Sequence, residues 1–160
     1  MKLANLTALL CAALWSQPLA AGEITSSAGI ATGTAKNEVT MLGENHMLIK
    51  SNTSYENFEM DDPNHPFAMA SGECFGSFEF RPPAASGGGN CVFTDADGDI
   101  SANKFVVTGL AENGSTVGTW TLVGGTGKFA GSSGGGTFQS LTDQQTGKFT
   151  NTIDGAMSLK

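Results

Sequence analysis

Apolar and polar residues alternate with a period of two along much of the chain. Met47 and Ile49 share one face of a predicted strand, and the residues between and beside them share the other face. Further along, Gly118, Trp120 and Leu122 occupy one face of a second such stretch, opposite threonines and valines. This alternation predicts β-strands that each bury one side.

Short alternating stretches recur about every 10 to 15 residues, with Gly, Asn or Asp between them, and they give about eight strands. The strand through 67–80 is predicted to include Phe67 and Met69, whereas 81–90, RPPAASGGGN, is predicted to be the longest loop. The chain has 22 glycines, and after the first 21 residues no apolar period of 3.6 is seen. The pattern predicts an all-β sandwich or an antiparallel closed barrel, and a barrel has the advantage of leaving no exposed edge.

The first residues have the layout of a secretory signal peptide. Lys2 supplies the positive charge, an apolar run follows, and small residues near Ala20 offer a cleavage site. The apolar run is shorter than the roughly 20 residues that a spanning helix needs. We therefore expect a signal peptide over 1–21, a single domain over 22–160, and export to the periplasm or the extracellular space without a membrane span.

After the signal peptide, two of the three cysteines remain, Cys74 and Cys91. An exported chain usually meets an oxidising compartment, so we expect these two residues to form a disulfide. In the loop-entropy model, the cross-link would contribute about 3 kcal/mol. The alternative is a reactive or metal-bound pair, but no histidine cluster lies near enough in sequence to complete a zinc site.

The net charge of the chain argues against two classes of binding partner. It carries 8 Lys and Arg against 15 Asp and Glu, a net charge of −7. Nucleic acids and anionic lipids would repel such a surface, so we expect neither as a partner.

Three aspartates alternate in TDADGDIS, at Asp95, Asp97 and Asp99. An EF-hand loop needs Gly at its sixth position and Glu at its twelfth. Counted from Asp95, those positions hold Ile100 and Val106, so the EF-hand is excluded.

The same stretch has the features of a hairpin. Asp97 and Gly98 are a favoured two-residue turn, and the aspartate side chains can accept hydrogen bonds from backbone N–H groups across it. A calcium site of another class remains the alternative for the three carboxylates, because a cation would relieve their repulsion. No other cofactor is expected.

The stretch GGTGKFAGSSG contains a distinctive glycine-rich corner. It fits neither a P-loop, because Phe129 follows Lys128, nor a dinucleotide fingerprint, because no helix is predicted after it. It resembles the corner that precedes the last strands of allene-oxide-cyclase-like and dirigent-like barrels, through Gly124, Gly125, Thr126, Gly127, Phe129, Gly131 and Gly134.

The resemblance implies an eight-stranded antiparallel barrel with an apolar cavity, often assembled as a homo-oligomer, a dimer or a trimer. It also implies a small apolar ligand whose cyclisation, isomerisation or coupling the barrel guides. The motif marks the fold, and no catalytic position of those families matches a residue here.

Four polar residues are candidates for catalysis: His46, Tyr55, His65 and Arg81. The chain has two histidines, one tyrosine and one arginine, and histidine is the commonest general base near neutral pH. The structural alternative for each is ordinary: surface histidines, a tyrosine anchored on the barrel, and an arginine paired with a nearby glutamate.

Two further function classes stay open beside the ligand-guiding barrel. One is a non-catalytic periplasmic structural or interaction protein whose interior is filled by side chains. The other is a calcium-dependent surface module built on the three aspartates.

Overall fold

The computed structural model describes residues 23–160, which form one antiparallel sheet. In chain order its strands are β1 (Ile24–Ser26), β2 (Gly29–Gly43), β3 (His46–Met60), β4 (Ser71–Arg81), β5 (Ala84–Thr94), β6 (Ile100–Leu110), β7 (Thr116–Gly125), β8 (Ser133–Thr142) and β9 (Lys148–Ser158). A short 3-10 helix, Gly127–Phe129, lies between β7 and β8 at the glycine-rich corner.

The sheet closes on itself. Strands β2 to β8 pair in sequence order, and β9 pairs with both β8 and β2. Strand β1 extends the β2 side of β9, with Ile24 opposite Ser158. The expected antiparallel closed barrel of about eight strands is confirmed, with one short strand added.

The period-two alternation correctly predicts which side chains share a face, and the structure shows which face is the inner one. Met47 and Ile49 line the interior of the barrel, whereas Leu48, between them, is 43% exposed on the outside. On β7, Trp120 and Leu122 share a face as expected, and both are buried.

One end of the barrel is closed by the loop 61–70. Phe67 turns into the barrel, where its ring centroid lies 5.7 to 5.8 Å from those of Phe58, Phe93 and Phe129. The prediction that Phe67 and Met69 lie on a strand is wrong, and Met69 is 76% exposed. The prolines at 63 and 66 lack an N–H group, so this segment forms a series of turns instead of joining a ladder.

The prediction of a long loop at 81–90 is also wrong. Only Pro82 and Pro83 connect β4 to β5, and β5 pairs with β4 from its first residue. The glycines of β5 fit here because a Cβ on Gly89 would lie 2.8 Å from the Phe105 ring and 2.0 Å from the Phe75 carbonyl oxygen. Atoms of the neighbouring strands therefore occupy the space in which a side chain on Gly89 would lie.

The aspartate stretch forms the expected hairpin, between β5 and β6, but its loop is longer than two residues. The Asp95 N–H donates to the Asp99 carbonyl at 3.0 Å, and Gly98, at φ +85°, donates to the Asp95 carbonyl at 3.1 Å. The Asp95 carboxylate also accepts bonds from the N–H groups of Asp97 and Asp99, both at 2.9 Å. These side-chain bonds stabilise the wider loop.

The predicted signal peptide, 1–21, lies outside the described residues. Across 23–160, no helix has the length and apolarity that crossing a bilayer requires.

Candidate functional site

The barrel encloses a cavity of about 500 Å³. This volume lies within the range of roughly 300 to 1,000 Å³ that is typical of small-molecule sites. Aromatic and aliphatic side chains from β3, β4, β6 and β9 make up much of its wall, among them Ile49, Phe78, Phe105 and Ile153. The interior is therefore not filled by side chains, contrary to what the structural-protein alternative expects.

The two ends of the cavity differ. Its floor contains Phe58 and Phe67, at the end that the loop 61–70 closes. Its other end is lined by Met47 at the start of β3, Phe80 near the end of β4, and Gln144 in the loop between β8 and β9. The cavity thus has a packed aromatic floor and a mouth among strand ends and loops.

Tyr55 is the sequence candidate that the fold places in the cavity. Its ring packs edge-on against Phe93 and Phe149, with centroids 5.2 and 4.8 Å apart, and its hydroxyl accepts a hydrogen bond of 3.0 Å from Asn151. Burial raises the pKa of Tyr55 to about 12, although the bond from Asn151 acts in the opposite direction. Tyr55 therefore offers a neutral hydroxyl to the cavity.

Asn103 and Asn151 also line the cavity and are absent from the sequence candidates. They are 4% and 6% exposed. The alternation along the strands could have indicated that both side chains face inward. Asn151 lies between the inward Phe149 and Ile153, and Asn103 lies two residues before Phe105. Both are polar, so they do not contribute to the apolar pattern by which the alternation is recognised.

His46 and Arg81 lie away from Tyr55, on the outer surface. Both contact the same carboxylate: His46 Nε2 is 2.9 Å and Arg81 Nη2 is 2.8 Å from Glu79 Oε1. Neither residue lines the cavity. The structure therefore does not bring the four catalytic candidates together.

His65 is buried in the closing loop and is 3% exposed. Its Nδ1 accepts a bond of 3.1 Å from the Phe67 N–H, so the neutral ring carries its proton on Nε2 and donates to Ser27 Oγ at 3.1 Å. Burial lowers the pKa of His65, with Asp62 acting in the opposite direction. In this tautomer His65 cannot take a proton from Ser27, so the pair attaches the loop to the barrel.

Cys74 and Cys91 form the expected disulfide, which is confirmed. They are directly opposite each other on β4 and β5, and both line the cavity. The segment between them is a paired hairpin, so the disulfide cross-links two strands that are already neighbours.

Asp95 and Asp97 contact Lys128, which belongs to the glycine-rich corner. Lys128 Nζ lies 2.7 Å from Asp95 Oδ2, and the Lys128 backbone N–H donates to Asp99 at 3.0 Å. Burial disfavours the Asp95 carboxylate, but hydrogen bonds from Lys128, Asp99 and Asp97 outweigh it and hold the pKa of Asp95 below its usual value. The same bonds, to Asp95 and then Asp97, raise the pKa of Lys128.

The ammonium of Lys128 thus lies against two of the three carboxylates that a calcium ion would need. Among residues 23–160, no group of three or more His, Cys, Asp or Glu side chains is placed to hold a metal ion. Calcium binding by Asp95, Asp97 and Asp99 stays a prediction.

No protein-family model matches the sequence, and no curated protein matches it. Two solved structures are similar to it: the pterocarpan synthase dirigent protein GePTS1, with a TM-score of 0.54, and the pterocarpan synthase dirigent protein PsPTS1, with a TM-score of 0.53. Each is 12% identical; the alignments cover 88% and 87% of this chain, and 93% and 97% of those chains. At this identity the likeness concerns the fold alone: the chain forms an antiparallel β-barrel similar to those of the two dirigent proteins, as the resemblance of the glycine-rich corner implies.

Proposed function

We propose that this protein binds one small apolar ligand inside its barrel and holds it in a single conformation while the ligand cyclises, isomerises or couples. The observation that carries the proposal is the cavity of about 500 Å³, with its aromatic floor and its mouth at the opposite end. Two proteins of the same fold are described as pterocarpan synthases, which supports a synthetic role for such a barrel.

The cavity favours control by shape over acid–base catalysis. Tyr55 is the ionisable side chain deep inside, and its pKa of about 12 keeps it protonated at neutral pH. The surrounding Phe58, Phe93 and Phe105 offer apolar and aromatic contact. Such a cavity accelerates a reaction by restricting the conformations of the ligand and by excluding water from a reactive intermediate.

Export to the periplasm or the extracellular space is part of the proposal. The Cys74–Cys91 disulfide supports it, because such bonds form and persist in oxidising compartments. N-terminal sequencing of the exported protein would test the predicted cleavage near Ala20.

Ligand binding is tested with biphenyl, a neutral apolar probe that is smaller than the cavity. We expect biphenyl to raise the melting temperature of the purified protein, since a ligand at 100 times its Kd stabilises the folded state by about 2.7 kcal/mol. Ile49→Trp, which fills part of the cavity, should abolish the shift. Leu48→Trp, one residue away on the outer face, should retain it.

Two results would count against the proposal. One is the absence of a shift with biphenyl and with its hydroxylated derivatives. The other is an equal shift in the Ile49→Trp and Leu48→Trp proteins, which would place the binding outside the barrel.

A further inference from the structure

Two buried Asn side chains in the cavity wall use only one of their two polar groups, the NH2, in a hydrogen bond. Asn103 Nδ2 donates to Ser101 Oγ at 3.3 Å, and Asn151 Nδ2 donates to the Tyr55 hydroxyl at 3.0 Å. The Oδ1 atom of each amide is buried and has no hydrogen-bond donor within 23–160. Buried polar atoms in folded proteins nearly always have a partner, so two such atoms on residues that line one cavity call for an explanation.

The two amides lie at separate points of the wall. Asn103 is on β6 and Asn151 is on β9, and strands β7 and β8 lie between them around the barrel. Much of the wall around them is aliphatic or aromatic. A ligand that reaches both amides would therefore be an apolar molecule with two separated polar groups.

We propose that Asn103 and Asn151 are specificity-determining residues that bind two hydroxyl groups of a neutral ligand and exclude carboxylates. The proposal rests on the proposed function. A hydroxyl suits either amide, because it donates to Oδ1 and can also accept from the NH2 group if the amide turns over. The Tyr55 hydroxyl, which accepts from Asn151, still has its own proton to donate to the same ligand group.

A carboxylate fits this site poorly. It has no proton to donate to the two amide oxygens, and burying its charge without a cation is costly. The cations Lys50 and Arg81 are on the outer surface, in contact with Glu38 and Glu79. Lys104 is among the residues that line the cavity, but it is exposed and alternates along β6 with the inward Asn103 and Phe105. The wall thus selects polar but uncharged groups.

The test compares ligands on one frame: biphenyl, 4-hydroxybiphenyl, 2,2′- and 4,4′-dihydroxybiphenyl, and biphenyl-4,4′-dicarboxylate. A buried hydrogen bond corresponds to roughly a tenfold change in affinity. We expect 4-hydroxybiphenyl to bind at least about tenfold more tightly than biphenyl, one of the two diols to bind more tightly still, and the dicarboxylate not to bind. The two diols differ in the spacing of their hydroxyl groups, so the better one reports the spacing of the two amides.

Substitution then assigns the effect to the two residues. Asn103→Leu and Asn151→Leu keep the branched shape of the side chain and should each reduce the affinity for the best diol about tenfold, while the affinity for biphenyl changes less than about twofold. Asn90→Leu, on the outer face of β5, is the matched control and should change neither affinity.

The outcomes separate this inference from the proposed function. If biphenyl binds and no hydroxylated derivative binds more tightly, the inference is overturned and ligand binding stands; this comparison needs no variant. If each Asn variant weakens biphenyl and the diol equally, the two residues are structural and the inference is again overturned. If no compound binds, the proposed function is overturned and the inference with it.

Discussion

Replacing Lys128 with Met should destabilise the barrel by about 2 kcal/mol, because Asp95 would remain buried without its cation. The ion pair joins two loops at the closed end of the barrel: Asp95 is in the β5–β6 hairpin, and Lys128 is in the corner between β7 and β8.

The magnitude follows from the burial of the two partners. Removing one partner of a fully buried ion pair costs about 3 to 5 kcal/mol. The Asp95 side chain is 2% exposed, but that of Lys128 is 31% exposed, which weakens the pair. Asp95 also keeps its two backbone N–H donors at 2.9 Å in the variant. Both facts reduce the expected loss to about 2 kcal/mol.

The loss should also depend on pH. The pKa of Asp95 is held below its usual value in the folded protein, so its contribution to stability is present above about pH 3.8. That contribution is lost as the pH falls through the folded pKa. Once Asp95 is protonated in both proteins, the charge-dependent part of the difference between wild type and Lys128→Met disappears.

Urea unfolding at pH 7 and in acid measures both quantities, from the midpoint at an unchanged m value. Lys50→Met is the control, because Lys50 lies 3.3 Å from Glu38 with both side chains mostly exposed; its loss should stay within about 0.5 kcal/mol. Equal losses in the two variants at pH 7, or a Lys128→Met deficit that persists undiminished in acid, would refute the argument.

Three further predictions concern the packing of the barrel. His65→Gln should abolish the loss of stability that the wild type shows as the pH falls below about 6.5. The cause is the lowered pKa of the buried His65, which means that the unfolded chain binds the proton at a higher pH than the folded protein does. In a pH series of thermal melts, the control His46→Gln should keep that loss. Replacing Cys74 and Cys91 together with Ala should cost about 3 kcal/mol in urea unfolding, since the disulfide spans 17 residues, and an unchanged midpoint would contradict this. Phe129→Ala should cost about 3 to 5 kcal/mol by the same measurement, because Phe129 is 1% exposed and stacks on the loop that closes the barrel.

Features that depend on local sequence were predictable. Alternation correctly put Trp120 and Leu122 on one face of their strand, because a strand sends successive side chains to opposite faces wherever it lies. The glycine-rich corner also lies where its sequence indicated, with Phe129 as its buried residue. Both signals come from neighbouring residues and need no knowledge of the partner strands.

Features that depend on partner strands were missed. The glycines of β5 have low strand propensity, and the strand forms because β4 and β6 pair with it and the Phe105 ring covers Gly89. Asn103 and Asn151 were overlooked for a related reason, since an inward polar residue is informative only once the interior is known to be a cavity. The aspartate loop was misjudged in length because the Asp95 side chain supplies bonds that turn statistics do not include.

The cavity itself has a cause in the sequence. Small inward side chains, at Ala35, Ser51, Thr53 and the Cys74–Cys91 disulfide, line the barrel above the aromatic floor. An eight-stranded barrel is narrow enough for larger side chains to fill it, so these small residues leave space that Leu or Phe would occupy. A chain selected for stability alone would pack this space and pair its buried amides. The empty volume and the two unpaired amide oxygens both reduce the stability of the free protein, and both belong to the cavity wall. A bound ligand with hydroxyl groups would complete the packing and the hydrogen bonding together.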